Sequence, residues 1–158
     1  MPEERAVREL KITPIRNGTV IDHITNGLAL EVLRIIGVKD LDKDSTVSIA
    51  LHVRSQKIGW KDIVKVENME LSPRKVNAIA LLAPTATIAI IRDFKVREKR
   101  AVDLPERIVG VVRCPNPNCI TNQHEPVESE FEVARRRPVI LRCIYCERLV
   151  DEFLTHLA

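Results

Sequence analysis

All four cysteines of this chain, Cys114, Cys119, Cys143 and Cys146, fall in one short stretch. In order they form a Cys-x4-Cys pair, an intervening loop and a Cys-x2-Cys pair. Two short-spaced pairs joined by a longer loop are what one tetrahedral zinc requires. Each pair bends a backbone knuckle around one edge of the metal, and the loop returns the chain to close the site. The first knuckle, Cys114-Pro115-Asn116-Pro117-Asn118-Cys119, is pre-bent by its prolines; the second is Cys143-Ile144-Tyr145-Cys146. Four thiolates leave no position for water or substrate, so the expectation is one structural Zn2+ per chain. The x4 spacing leaves room for another thiolate-preferring metal.

The competing arrangement is two disulfides in a secreted domain. Met1 to Arg8 is charged and lacks the apolar segment of a secretion signal. The most apolar run, Asn77 to Ile91, is broken by Pro84 and Thr85 and is too short to cross a membrane. A cytoplasmic location with reduced, metal-binding thiols is therefore expected.

Composition excludes some functions. With 45% hydrophobic and 30% charged residues the chain reads as globular. A net charge of +3 is too small for a protein that holds nucleic acid mainly by neutralising phosphates. Aromatic residues are 3%, leaving few platforms for stacking bases. From Leu104 onward there are seven Arg or Lys against eight Asp or Glu, so the cysteine segment is slightly acidic. Arg135-Arg136-Arg137 follows Glu128, Glu130 and Glu132 and reads as a solvated loop.

Two domains are expected, residues 1 to 100 and 101 to 158. In the first, Leu10 to Ile15 and Gly18 to Ile24 are apolar runs hinged at Asn17-Gly18. Leu28, Val32, Leu33, Ile35 and Ile36 have helical spacing, with Thr25 or Asn26 as N-cap and Gly37 as the stop. Val47, Ile49, Leu51 and Val53 alternate, predicting a strand with one buried face; its hairpin partner is Ile58 to Val66. Ser72-Pro73 opens a second helix with a stripe of Val76, Ile79, Ala80 and Leu82. Thr87 to Arg92 is a buried strand, and Asp93 to Arg97 a further extended piece. This order predicts an α+β fold: a ferredoxin-like split βαβ sandwich, mainly antiparallel, with two helices on one face. The second domain is a small all-β zinc-ribbon-like unit that leans on its metal, with Val111, Val112, Phe131, Val133, Val139, Leu141 and Phe153 as strand residues.

No catalytic constellation is present: no phosphate-cradling glycine loop, nucleophile elbow or His-Glu-x-x-His. His52 should face outward as a solvated side chain, and His124 could serve only as a substitute ligand. Asp22-His23, at a strand end, could hydrogen-bond a sugar hydroxyl or base edge, or could merely cap a turn. Lys57, Lys61, Lys65 and Lys99 are workable phosphate ligands or plain surface lysines.

Several runs, in order, resemble the regulatory chain of aspartate carbamoyltransferase. They are Asn17-Gly18-Thr19-Val20-Ile21-Asp22-His23-Ile24, Lys61-Asp62 with Lys65-Val66-Glu67-Asn68, Leu82-Ala83-Pro84 with Ala86-Thr87, and Leu104-Pro105-Glu106-Arg107-Ile108. Cys114-Pro115-Asn116 to Cys119-Ile120 and Cys143-Ile144-Tyr145-Cys146-Glu147 complete the series. The resemblance spans about Leu10 to Phe153.

It implies a non-catalytic chain whose first domain binds nucleotide effectors (CTP, ATP and, in some members, UTP). Its zinc domain would dock on the catalytic chain, in an assembly where regulatory dimers bridge catalytic trimers of pyrimidine biosynthesis. By position, Asp22 and Lys65 would meet the ribose or base and His23 and Lys99 the phosphates, with Lys61 on the phosphate side. Ile12, Ile15, Ile91 and Val96 would line the base pocket. Asn116, Asn118, Glu147 and Arg148 would face the catalytic chain. Ala89 stands where the best-known members carry Asn, and Phe94 where they carry Tyr; both changes remove polar contacts that could discriminate bases. Two rival functions remain: a zinc-ribbon nucleic-acid binder, and a purely structural subunit without nucleotide response.

Overall fold

Asn17-Gly18 begins the central strand. The computed structural model describes residues 14–37, 39, 41 and 43–158. Gly18 has a φ of +148°, and a Cβ there would lie 2.1 Å from the Val66 carbonyl oxygen, so only glycine fits. The elements that follow are β1 (Gly18–Thr25), α1 (Ala29–Ile36), β2 (Val47–Ser55), β3 (Gly59–Glu67), α2 (Pro73–Leu82), β4 (Thr87–Arg92) and β5 (Lys95–Ala101). β6 (Arg107–Val109), β7 (Glu130–Arg136), β8 (Val139–Cys143) and β9 (Leu149–Val150) complete the chain. Strands β1 to β5 form one sheet in the order β2-β3-β1-β4-β5, antiparallel at every pairing. The first four positions are the split βαβ order, and β5 adds a strand beside β4. The α+β class read from the sequence is the one adopted, with a separate cysteine-bearing C-terminal unit.

The chain divides into two compact units. One holds the described residues up to Leu71 together with Ala83–Val102; the other holds Ser72–Leu82 and Asp103–Ala158. Helix α2 thus belongs with the C-terminal residues although its sequence lies between two strands of the larger sheet.

In the first unit, Ile21, Ile24, Val32, Ile36, Val64 and Val66 are wholly buried where α1 packs on the sheet. Gly37 ends α1 in the left-handed conformation, its N–H donating to the Leu33 carbonyl, as its sequence position requires. The start of α1 differs from expectation. Neither Thr25 nor Asn26 caps it: the cap position is Leu28, without a side-chain bond. The carboxylate of Asp62, on β3 and fully buried, does this work from a neighbouring strand. Its Oδ2 accepts the N–H groups of Gly27 (3.0 Å) and Ala29 (3.2 Å), and its Oδ1 that of His52 (3.0 Å).

Asp62 also explains two irregularities in strand register. β1 carries an extra residue between Ile21 and Ile24, and β2 between Ala50 and Val53, both opposite β3 near Asp62. Each bulge puts a histidine at positive φ, His23 (+53°) and His52 (+56°).

Three other expectations are corrected. The apolar face of β2 is not buried within the chain, since Ile49 and Leu51 on this edge strand are exposed. Asp93 and Phe94 are not extended; both have positive φ and form the tight turn between β4 and β5. The buried residues of α2 are Ala78, Ile79, Ala80 and Leu81, so Val76 and Leu82 are only half-buried.

In the second unit, β6-β7-β8-β9 make an antiparallel sheet around Ile108, Phe131 and Leu141. Phe131, Val133, Val139 and Leu141 are strand residues as expected. Val111, Val112 and Phe153 are buried but lie outside the strands, because a unit this small fills its core from loops as well. The basic run is not a loop: Arg135 and Arg136 end β7, where Arg136 donates to the Leu104 carbonyl.

Replacing Asp62 by Ala strands three amide donors, two at a helix start. Chemical denaturation should show a loss of about 2–4 kcal/mol, with α1 disordered. An unchanged midpoint would mean that Asp62 does not organise the bulges.

Candidate metal centre and ligand-binding face

The two knuckles bring the four cysteine sulfurs within 4.8 Å of one another. Cys114 and Cys146 Sγ are 3.6 Å apart, and Cys119 and Cys143 Sγ 3.8 Å. These are far beyond a disulfide bond, and all four thiols are free. They match the edge of a zinc tetrahedron, about 3.8 Å for Zn–S bonds of about 2.3 Å. Burial pushes the Cys114 thiol well above its ordinary range and raises that of Cys143, which a divalent cation would reverse. Burial also acts upward on Cys146. Hydrogen bonds from the Arg148 N–H and the Asn116 side chain, with help from Cys114 and Cys143, outweigh it and bring this thiol down to about 7. The donor set therefore fits zinc and contains no histidine; His124 is exposed and outside the cluster.

The knuckles are fixed by polar residues that carry no periodicity. Asn122 donates through Nδ2 to the carbonyls of Cys114 (2.8 Å) and Asn116 (2.7 Å), and Thr121 Oγ1 donates to Cys119 Sγ. The Asn116 Oδ1 accepts the Asn118 N–H at 3.0 Å, so this residue, offered above as an interface contact, also shapes its own turn. Asn118, Glu147 and Arg148 are exposed beside the cluster, as are Ile120, Tyr145 and Leu149.

On the larger sheet, strand register gathers the other sequence-selected residues. Lys65 pairs with Val20, Val20 with Ala89 and Ala89 with Lys99, one row across four strands. Ile91 pairs with Val96 and Gly18, and Asp22 with Thr87. Residues paired or two apart share a face, so Asp22, Lys65, Ile91, Val96 and Lys99 all lie on one side. Lys65 and Lys99 stand about 14 Å apart, three strand spacings, with the small Ala89 and Val20 between them.

Lys61 joins this set through its Nζ, 2.9 Å from Asp22 Oδ1. His23 sits in the β1 bulge. Its N–H donates to Asp22 Oδ1 (2.6 Å), its Nδ1 is 3.0 Å from Thr87 Oγ1, and its carbonyl accepts from Thr85 Oγ1. Lys61, Lys65, Lys99 and the His23 imidazole share this side with the Asp22 and Glu67 carboxylates, so the lysines outnumber the carboxylates and the face is net cationic. Burial holds the Lys65 ammonium below its ordinary range, and the Asp22 carboxylate partly restores it.

Ile15 is buried and packs toward Gly18; Ile12 lies outside the described residues. Thr85, Thr87 and Asp62 were not singled out from sequence, because a hydroxyl or carboxylate acting across strands leaves no local pattern. His52 is exposed, as expected, but not merely solvated: its ring stacks on Trp60, centroids 4.0 Å apart.

The family model described as aspartate carbamoyltransferase regulatory chain, allosteric domain, matches residues 10–103, and that of the metal binding domain matches residues 106–154. Similar proteins described as aspartate carbamoyltransferase regulatory chains span almost the full length of both partners. That of Methanothrix thermoacetophila is 56% identical over 92% of this chain and 94% of its own. The Pyrococcus horikoshii protein is 51% identical, over 91% and 94%. For Thermoplasma volcanium the identity is 49%, over 92% and 95%. Among the described residues no helix is long and apolar enough to cross a membrane.

Elemental analysis should find one zinc per chain. Chelation should unfold the cysteine-bearing unit, since binding and folding are one equilibrium in such small units. A Cys143→Ser variant that holds zinc as tightly as the parent would contradict the tetrathiolate centre.

Proposed function

The chain belongs to the family of aspartate carbamoyltransferase regulatory chains, and on that premise we propose that it binds nucleotide effectors on the cationic face of its larger sheet. It is a regulatory subunit with an allosteric domain and a zinc-bearing metal-binding domain, and it carries no catalysis of its own. The observation that supports nucleotide binding is the row Lys65–Val20–Ala89–Lys99, with Lys61, Asp22 and His23 beside it. Lysines spaced across a flat floor of small residues suit a ligand with an anionic tail and an apolar ring. Lys61, His23 and Lys99 would take the phosphates of CTP, ATP or UTP, while Asp22 and Lys65 meet the ribose or base. Ile91, Val96 and Ile15 would flank the base.

The zinc centre would serve assembly. It sets the turns that present Asn118, Glu147 and Arg148, with Asn116 in support, to the catalytic chain. The exposed apolar residues of β2, Ile49 and Leu51, on the strand that edges the sheet among the described residues, favour self-association of the chain as a dimer. Nucleotide bound away from the catalytic site would act by differential affinity for two states of the assembly, a coupling of about 1–3 kcal/mol. A cytoplasmic setting accords with reduced thiols holding metal.

A purely structural subunit is favoured by one observation: Ala89 and Phe94 bring no polar side-chain group to the face. Mixing the chain with its catalytic trimer and recording aspartate saturation with no effector, CTP or ATP decides between them. The regulator reading expects half-saturation to move with nucleotide, and His23→Ala or Lys99→Ala to abolish the movement. Coincident curves from a well-formed complex would leave a scaffold. Nucleotide affinity should also fall on the alkaline side earlier than for an ordinary lysine site. The lowered Lys65 loses its charge, and with it the charge-assisted hydrogen bonds it would give the ribose or base, sooner as pH rises. Lys65→Arg should shift that fall to higher pH because arginine stays protonated; an unmoved profile would remove Lys65 from the site.

A further inference from the structure

The two cysteine knuckles are not held alike. Cys143 is the last residue of β8, paired with Phe131 inside the small sheet, and its N–H donates to the Arg148 carbonyl at 3.0 Å. Cys114 lies outside that sheet. β6 ends at Val109, Gly110 takes a φ of +69°, and Val111 to Arg113 then lead to the first knuckle beyond the named strands.

This lead-in is tied on both of its edges. Ser129 Oγ donates to the Val112 carbonyl at 2.6 Å on one of them. On the other, Val112 faces Leu157 in an antiparallel bridge. Two backbone hydrogen bonds flank the bridge: the Arg113 N–H donates to the His156 carbonyl (2.6 Å) and the Ala158 N–H to the Val111 carbonyl (2.8 Å). Residues 156–158 are themselves anchored. Phe153 is buried and its carbonyl accepts the His156 N–H at 3.0 Å, while Thr155 Oγ1 donates to the Glu152 carboxylate.

The sheet order gives these bonds their meaning. β6 and β9 are the two edges of the β6-β7-β8-β9 sheet. The chain just beyond β6 is bonded to the chain just beyond β9, so the open sheet is fastened edge to edge. Cys114 follows the fastened stretch directly, and Cys146 stands between β8 and β9. The side-chain bonds from Asn122 shape the first knuckle from within, whereas this ladder sets where the knuckle sits against the second.

We infer that residues 156–158 are a clasp that keeps the Cys114–Cys119 knuckle closed on the Cys143–Cys146 knuckle, so that zinc retention depends on backbone groups outside the donor set. His156, Leu157 and Ala158 are positioning residues and belong to no part of the cysteine cluster. Partners that orient metal ligands from outside the coordination sphere commonly change metal affinity about 10- to 100-fold. The clasp is independent of whether the chain answers to nucleotide.

The test uses the full zinc-loaded chain and follows zinc release to an excess of a coloured chelator. Three variants are compared with the parent: Ala158→Pro, Ala158→Gly, and a chain shortened by residues 155–158. Leu157 has φ −64° and ψ 131°, the backbone that a following proline demands, so Ala158→Pro deletes one N–H and leaves the path intact. Release from it should be about threefold to tenfold faster, the worth of one hydrogen bond. The shortened chain should release zinc at least about tenfold faster. Ala158→Gly keeps the N–H and should behave as the parent. Iodoacetamide labelling of the zinc-loaded proteins, mapped by peptide, should show the rise over the parental rate to be largest at Cys114. Loosening of the whole unit would instead raise all four cysteines alike. If the shortened chain does not fold, Ala158→Pro carries the same expectation. Parental release from Ala158→Pro would overturn the inference, as would release from Ala158→Gly as fast as from Ala158→Pro, or an equal rise at all four cysteines. A parent that holds no zinc would overturn the metal centre itself and the clasp with it, and is told apart because it involves no variant.

Discussion

Four sulfurs within 4.8 Å of one another form the constraint on which the C-terminal unit depends. Ionised thiolates at that separation repel, and neutral thiols would gain little from crowding, so the arrangement is stable only around a cation. The apolar core of this unit is modest, with Phe131 its largest fully buried side chain. The metal therefore supplies what the core lacks. It also orients Cys114–Cys119 and Cys143–Cys146, and with them the exposed Asn118, Glu147 and Arg148. Stability and the shape of the proposed docking face would then come from one centre.

The larger sheet solves a different problem with a buried carboxylate. Asp62 satisfies the start of α1 and the His52 amide at once, which allows β1 and β2 each to carry an extra residue. The β1 bulge is what turns His23 toward Thr87 and sets it beside Asp22 and Lys61. On β3, which carries Lys61, the opposite face belongs to the core through residues such as Asp62 and Val64. Adjacent residues Lys61 and Asp62 thus divide the work: one serves the solvent-facing ionic cluster, the other the frame beneath it.

Much of this was legible in the sequence because it is periodic or local. The cysteine spacing gave the donor set; the alternation in β2, the apolar run of β4 and the Gly37 stop gave elements near their observed bounds. The face carrying Lys65 and Lys99 was foreseeable only by resemblance, since the register that aligns them spans four strands. What the sequence hid is non-local. Asp62 caps a helix more than 30 residues before it (|i−j| of 33 for Ala29), and Thr87 holds a histidine 64 residues away. Alternation likewise marked Ile49 and Leu51 as one face of a strand, but not that β2 would lie at a sheet edge with that face open. Helix α2 was recognised by Ser72-Pro73, while its membership in the cysteine-bearing unit depends on contacts such as Arg74 with Glu128.

The central claim is that one chain carries two separable devices: a sheet face that reads nucleotide and a zinc centre that makes the docking surface. The most direct measurement follows both in the same sample, by calorimetric CTP titration and by co-elution with the catalytic trimer, before chelation, after it, and after zinc is restored. The account predicts that the stripped chain still binds CTP but no longer co-elutes, and that zinc returns co-elution. Stripped chain that still co-elutes, or that loses CTP binding together with assembly, would contradict it.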